Sequence, residues 1–93
     1  MTVYPLRIGQ VVCSKLGHDK GLFYLIVRLD GDRVMVADGK YRGLSNAKAK
    51  NPVHLAPTAQ VYDLPQTDKK LRELLFRYNH PDEHKRLNHR ENT

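Results

Sequence analysis

The sequence has one cysteine, no tryptophan and no long apolar run, and its 93 residues are too few for two globular domains. Cys13 cannot form an intramolecular disulfide, and a small domain without such bridges suits a reducing compartment. The longest apolar run, residues 22–27, is far shorter than the roughly 20 residues of a membrane-spanning helix. The first ten residues lack a basic segment followed by an apolar stretch, so we expect no secretory signal. Together these absences predict a soluble cytoplasmic protein.

Acidic residues are also scarce. Lys and Arg number 16 against 10 for Asp and Glu, a formal net charge of +6. Such an excess attracts polyanions, nucleic acid first and anionic membranes second. Charged residues are 28% and apolar residues 40% of the chain, which is not the composition of a disordered protein. We expect an RNA partner, and no membrane, small-molecule substrate, cofactor or metal.

Short runs of apolar and β-branched residues, separated by glycines, predict strands upstream of Pro65. The predicted strands are residues 10–16, 22–29, 33–37, 53–56 and 60–64. The sequence Asp30-Gly31-Asp32 favours a tight turn, and Pro57 separates the last two strands because proline cannot donate to a ladder. About five short strands in some 60 residues are typical of a small closed or half-closed antiparallel barrel. Its predicted core residues are Val12, Leu25, Val27, Val34 and Val36.

Downstream of Pro65 no glycine occurs, and the apolar spacing becomes that of a helix. The apolar face consists of Leu71, Leu74, Leu75 and Tyr78. Thr67 suits the N-cap and Asp68 the first turn. We therefore predict a barrel in residues 1–64, a docked amphipathic helix in 65–78, and a basic polar tail in 79–93 that forms a short helix or is disordered.

A glycine-bounded loop follows the first predicted strand, in the segment 9–21, GQVVCSKLGHDKG. Gly17 and Gly21 give the backbone freedom at both ends of the loop, which presents Lys20. Such a loop can bring main-chain amides and an ammonium group close to a phosphate. An ordinary glycine-bounded hairpin is the alternative.

The same segment resembles the KOW motif of ribosomal proteins and NusG-type transcription elongation factors. The resemblance covers about residues 8–35 and is carried by Gly9, Val12, Gly17, Lys20 and Gly21. Ser14 stands where the motif usually has a second inward apolar residue. The resemblance implies an SH3-like barrel near nucleic acid, so that the expected fold is mainly β with a C-terminal α-helix.

A second stretch, residues 43–58, is similar to the basic segment of the L-fourteen-e family of ribosomal large-subunit proteins. In that family a basic run precedes an Asn-x-x-His-Leu-x-Pro signature, matched here by Asn51, His54, Leu55 and Pro57. The basic run is thinner in this chain, because Ala49 separates Lys48 from Lys50. The two resemblances imply a ribosome-associated RNA-binding protein that acts in translation and has large-subunit ribosomal RNA as its target.

The residue types favour RNA independently of any family. Residues 39–54 contain four basic residues and no acid, and Tyr41 among them can stack on an unpaired base. The predicted phosphate contacts are Lys15, Lys20, Lys40, Arg42, Lys48 and Lys50. Hydrogen bonds to phosphate, ribose or base edges are predicted for His18, Asn46, Asn51 and His54. A solvated basic loop is the alternative interpretation of this segment.

Other functional classes have weaker sequence support. A barrel that docks a translation or transcription factor is the main alternative to RNA binding. Cys13 near His18 could suggest a nucleophile, but no set of nucleophile, base and oxyanion donor is visible, and a half-buried thiol is favoured. His80, His84 and His89 could suggest zinc, but solvated or RNA-facing histidines are favoured. We therefore predict a protein that is not an enzyme.

Overall fold

A five-stranded antiparallel sheet and a C-terminal helix make up the fold of the computed structural model, which describes residues 6–83. The strands are β1 (Gln10–Ser14), β2 (Phe23–Asp30), β3 (Arg33–Ala37), β4 (Lys48–Lys50) and β5 (Leu55–Val61), and the helix is α1 (Asp68–Asn79). Short 3-10 turns cover Leu44–Asn46 and Pro52–His54. The strand order is β4-β3-β2-β1-β5, and the sheet is open. The predicted mainly β class with a C-terminal helix is confirmed.

The prediction for the last two strands was wrong. The chain forms a single strand, β5, through Pro57, which pairs with Val12. A proline is tolerated there because β5 is an edge strand and pairs only with β1. The missed strand β4 has the sequence Lys-Ala-Lys, which carries no apolar alternation, yet its backbone pairs with β3.

The sheet has an apolar cluster on each of its two faces, because successive residues of a strand point to opposite sides. One cluster contains Val12, Tyr24, Ile26, Val34, Val36 and Leu55. The other contains Val11, Leu25, Ala37, Leu71 and Leu75. Four of the five predicted core residues are therefore buried. Val27 is only half-buried, because the register of β2 and β3 shifts between Ile26 and Arg28 and places it at a bulge.

The helix α1 packs on the second cluster through its predicted apolar face. Leu71 and Leu75 are buried, and Leu74 and Tyr78 are half-buried beside them. Thr67 is the N-cap, and its hydroxyl accepts a 3.1 Å hydrogen bond from the amide of Lys70. In the described part of the chain, none of the helices combines the length and the apolar character needed to cross a bilayer. The predicted tail beyond Glu83 lies outside the described residues.

Gly39 marks the closest approach between α1 and the loop that follows β3. Its φ is +82°, and a Cβ atom there would collide with the backbone oxygen of Asp68. The guanidinium of Arg72 also donates a 3.1 Å hydrogen bond to the Gly39 carbonyl. The position of the 38–42 loop against α1 therefore depends on the absence of a side chain at Gly39.

We predict that Gly39→Ala destabilises the protein by about 3 kcal/mol or more, because the new methyl group must displace α1 as well as adopt a positive φ. Gly31→Ala is the matched control: Gly31 also has a positive φ, of +61°, but faces open space. That variant should lose only about 1 kcal/mol. Urea unfolding of the two variants measures the difference, and equal losses would contradict the proposed close approach.

Candidate nucleic-acid interface

The 17–21 loop is folded around the carboxylate of Asp19, whose side chain is only 13% exposed. That carboxylate accepts a 2.7 Å hydrogen bond from the Tyr24 hydroxyl and a 2.8 Å bond from the Ser14 hydroxyl. The ammonium groups of Lys50 and Lys48 lie 3.0 Å and 3.4 Å from it. Asp19 therefore joins β1, β2 and β4 to the loop. Ser14, the departure from the KOW pattern, is one of its donors.

The surroundings of Asp19 keep it ionised. Burial opposes the charge, but hydrogen bonds from Tyr24, Lys50 and Ser14, together with the charge of Lys50, hold the pKa of Asp19 well below its usual range. The pKa of Tyr24 is raised, first by burial and then by its hydrogen bond to the Asp19 carboxylate. A proton therefore stays on Tyr24, which remains a donor to Asp19.

The two lysines of β4 reach the same side of the sheet because they are two residues apart in a strand. Lys50 is 10% exposed, contacts Asp19 closely and also donates a 3.1 Å hydrogen bond to the Ser14 hydroxyl. Lys48 is 38% exposed, and its contact with Asp19 is longer. The ammonium of Lys50 is thus committed to an internal ion pair, whereas that of Lys48 also faces solvent.

Main-chain amides of the 17–21 loop are used within the loop itself. The amide of Lys20 donates to Gly17, that of Gly21 donates to Ser14, and that of Leu22 donates to Asp19. These three amides are therefore not free to bind a phosphate, contrary to the sequence-based expectation. What the loop presents to solvent is the exposed side chains of His18 and Lys20.

A groove of about 610 Å³, which we call the basic groove, lies between the 17–21 loop and the 38–42 loop. Five of the predicted RNA-binding residues line it: His18, Lys20, Tyr41, Arg42 and Lys48. They come from three segments that are well separated in sequence. The fold therefore brings together the loop of the first resemblance and the start of the basic segment.

Asp38 holds the second wall of the basic groove in shape. It is buried, and its Oδ1 accepts hydrogen bonds from the amides of Lys40 at 3.1 Å and Arg42 at 2.8 Å. The tight loop that results projects Tyr41 outward, 69% exposed. The Lys40 ammonium lies 5.1 Å from the centroid of the Tyr41 ring.

The remaining predicted residues do not line the basic groove. The Lys15 amide donates a 2.9 Å bond to the His54 carbonyl, so these two residues are neighbours where β1 ends. Asn51 caps the turn Pro52–His54, and its Oδ1 accepts a 3.1 Å bond from the Val53 amide. Asn46 is exposed in the other 3-10 turn.

A second groove, of about 780 Å³, separates α1 from the 38–42 loop, and we call it the aromatic groove. Lys40, Arg72, Phe76 and His80 line it and do not line the basic groove. Leu22, Tyr41 and Asn79 line both grooves. The two grooves are therefore parts of one continuous surface that meets at Tyr41.

No sequence pattern indicated the role of Asn79. Its Oδ1 accepts a 2.8 Å bond from the Phe23 amide, and its Nδ2 donates a 3.2 Å bond to the Phe23 carbonyl. The side-chain amide thus pairs with β2 as a strand would, and it fixes the last turn of α1 against the sheet. The sequence shows only a polar residue at the end of an apolar helical face.

The alternatives based on Cys13 and on histidines find little in this geometry. Burial raises the pKa of the half-buried Cys13 thiol, and a hydrogen bond from Gly21 lowers it by less, so the reactive thiolate is disfavoured. Among residues 6–83 no three His, Cys, Asp or Glu side chains are grouped as metal ligands would be. His84 and His89 lie outside the described residues.

Comparison with known proteins adds no identification: no family model and no curated protein matches the chain. The resemblances to the KOW motif and to the L-fourteen-e family therefore stay predictions.

We predict that Asp19→Asn destabilises the protein by about 3 kcal/mol at neutral pH, because it leaves the poorly exposed ammonium of Lys50 without a countercharge. Ser14→Ala, which removes one hydrogen bond to the same carboxylate, should lose only about 1 kcal/mol. Asp19→Asn combined with Lys50→Met should be more stable than Asp19→Asn alone, because no unpaired charge remains. Chemical denaturation measures all three, and a double variant no more stable than Asp19→Asn would contradict the ion pair.

The contribution of Asp19 to stability should also depend on pH. Because folding lowers its pKa, the contribution is complete above the ordinary carboxyl pKa of about 4 and is lost as pH falls toward the lower folded value. The difference in unfolding free energy between the wild type and Asp19→Asn should therefore shrink below about pH 4. A difference that stays constant from neutral pH to about pH 2 would rule out the lowered pKa.

Proposed function

We propose that this chain is a KOW-type RNA-binding protein with an SH3-like barrel, that it associates with the ribosome, and that large-subunit ribosomal RNA is its target. The proposal rests mainly on the basic groove, where five residues predicted from sequence to bind RNA lie together. No catalytic step is proposed for it.

The charge of the basic groove supports this role. Asp19 is the one acidic residue among the described residues that line it, and the ammonium of Lys50 neutralises that carboxylate from within the protein. Lys20 and Arg42 thus contribute positive charge that no lining carboxylate cancels. Grooves of this kind concentrate phosphates by electrostatic attraction.

The topology supports an SH3-like barrel. The last strand returns to pair with the first, and the register shifts in β1–β5 and in β2–β3 are bulges that increase the bend of a sheet. Apolar clusters line both faces, as expected for a small sheet that coils over one core and carries a helix on the other side.

The proposed contacts are not identical with the sequence-based set. Lys50 is left out because its ammonium is buried against Asp19. His18, Lys20, Lys40, Tyr41, Arg42 and Lys48 form the central set. Lys15, Asn46, Asn51 and His54 are kept as peripheral contacts.

RNA affinity as a function of salt tests this proposal. With four to six phosphates contacted, log K should fall by roughly 3 to 5 per log unit of salt, less on single strands. Lys20→Gln combined with Arg42→Gln should reduce the slope by about 1 and weaken binding. The control is Lys69→Gln with Lys70→Gln, which removes the same charge from exposed positions outside both grooves. Fluorescence anisotropy gives both quantities.

Three results would contradict the proposal: no binding of structured RNA at low salt, a slope near zero, or equal losses in the two double variants. The first two would favour the alternative in which the barrel docks a translation or transcription factor, since such a contact does not release counterions from a nucleic acid.

For the ribosomal target we predict that the endogenous protein sediments with large ribosomal subunits at low salt and is released at high salt. Lys20→Gln with Arg42→Gln should be released at lower salt than the Lys69→Gln, Lys70→Gln control. A protein found only in the free fraction at both salt concentrations would contradict a ribosomal site.

A further inference from the structure

We propose that the aromatic groove binds an unpaired nucleobase of the same RNA strand whose phosphates lie in the basic groove. This inference rests on the proposed function and specifies the ligand: single-stranded RNA with at least one base out of its stack. The occupant follows from the walls of the aromatic groove, its charge and its continuity with the basic groove.

The walls of the aromatic groove present flat ring faces. Arg72, Phe76 and His80 are four residues apart and so form one stripe along α1. The Phe76 and His80 rings pack with centroids 5.1 Å apart and an interplanar angle of 33°. On the opposite wall is the exposed ring of Tyr41. Aromatic rings and guanidinium planes are the groups on which proteins stack unpaired bases.

The charge of the aromatic groove distinguishes a base from a phosphate. Glu73 is part of its lining and would repel a phosphate, whereas a neutral base is not repelled. Lys40 and Arg72 lie at the same groove and suit the phosphates that flank such a base. The volume of about 780 Å³ leaves room for one base together with its ribose.

The junction at Tyr41 favours a nucleic acid over a peptide. Because Leu22, Tyr41 and Asn79 line both grooves, one strand can contact both at once. A single-stranded RNA repeats a phosphate and a flat ring in every unit, which matches a cationic groove beside an aromatic one. A peptide would need an acidic residue and an aromatic residue at a particular spacing to do the same.

Oligonucleotides that lack bases test this inference with the wild-type protein. The comparison is between a short single-stranded RNA and the same strand with abasic ribose units, which keeps every phosphate. Removal of the bases should weaken binding about tenfold and leave the salt slope unchanged. Equal affinities for the two strands would overturn the nucleobase site while the RNA proposal stands. If neither strand nor structured RNA binds at low salt, the proposed function itself fails.

Variants of Tyr41 place the effect in the groove. Tyr41 is exposed and forms no part of either apolar cluster, so its replacement should leave the fold intact. Tyr41→Ser should abolish most of the difference between the two strands, whereas Tyr41→Phe should keep it because the ring face remains. A base preference that is unchanged in Tyr41→Ser would overturn the assignment to this groove.

Discussion

The carboxylate of Asp19 sits where a charge is costly, and the arrangement of the 17–21 loop follows from that. A poorly exposed carboxylate must be matched by donors, and here they come from Ser14, Tyr24 and Lys50 on three different strands. The loop cannot leave the sheet without separating Asp19 from all of them. The anion that organises the loop also lies at the basic groove, so one interaction fixes the shape of the proposed site and sets how much positive charge it retains.

The lysines of β4 show why net charge alone does not locate an interface. Lys48 and Lys50 have the same chemistry and lie on the same side of the strand, yet only Lys50 is nearly enclosed. Its ammonium neutralises Asp19 and thereby leaves Lys20 and Arg42 as the charge that a phosphate would meet. A buried ion pair of this kind contributes less to stability than to specifying one arrangement, since its desolvation offsets much of the attraction. Part of the +6 charge is therefore structural.

Sequence patterns predicted the parts of the fold that depend on periodicity and failed where partners are distant. The helical spacing of Leu71 and Leu75 and the cap at Thr67 were sufficient to predict α1. The strand β4 was not predictable, because its two lysines are held by an aspartate about thirty residues away. For the same reason Lys50 was expected to face RNA, and the bidentate bond of Asn79 to Phe23 left no local trace. The aromatic groove, made by a helix and a loop, was equally invisible.

Phosphates in the basic groove and a base in the aromatic groove make a spatial claim, which the backbone amide resonances of the protein report most directly. We expect titration with a short single-stranded RNA at low salt to shift the amides of residues 18–22, 40–44 and 76–80, with those of the Gly31 turn and of Lys69 unchanged. Shifts centred on the Gly31 turn or on the outer end of β5, with both grooves silent, would contradict the account.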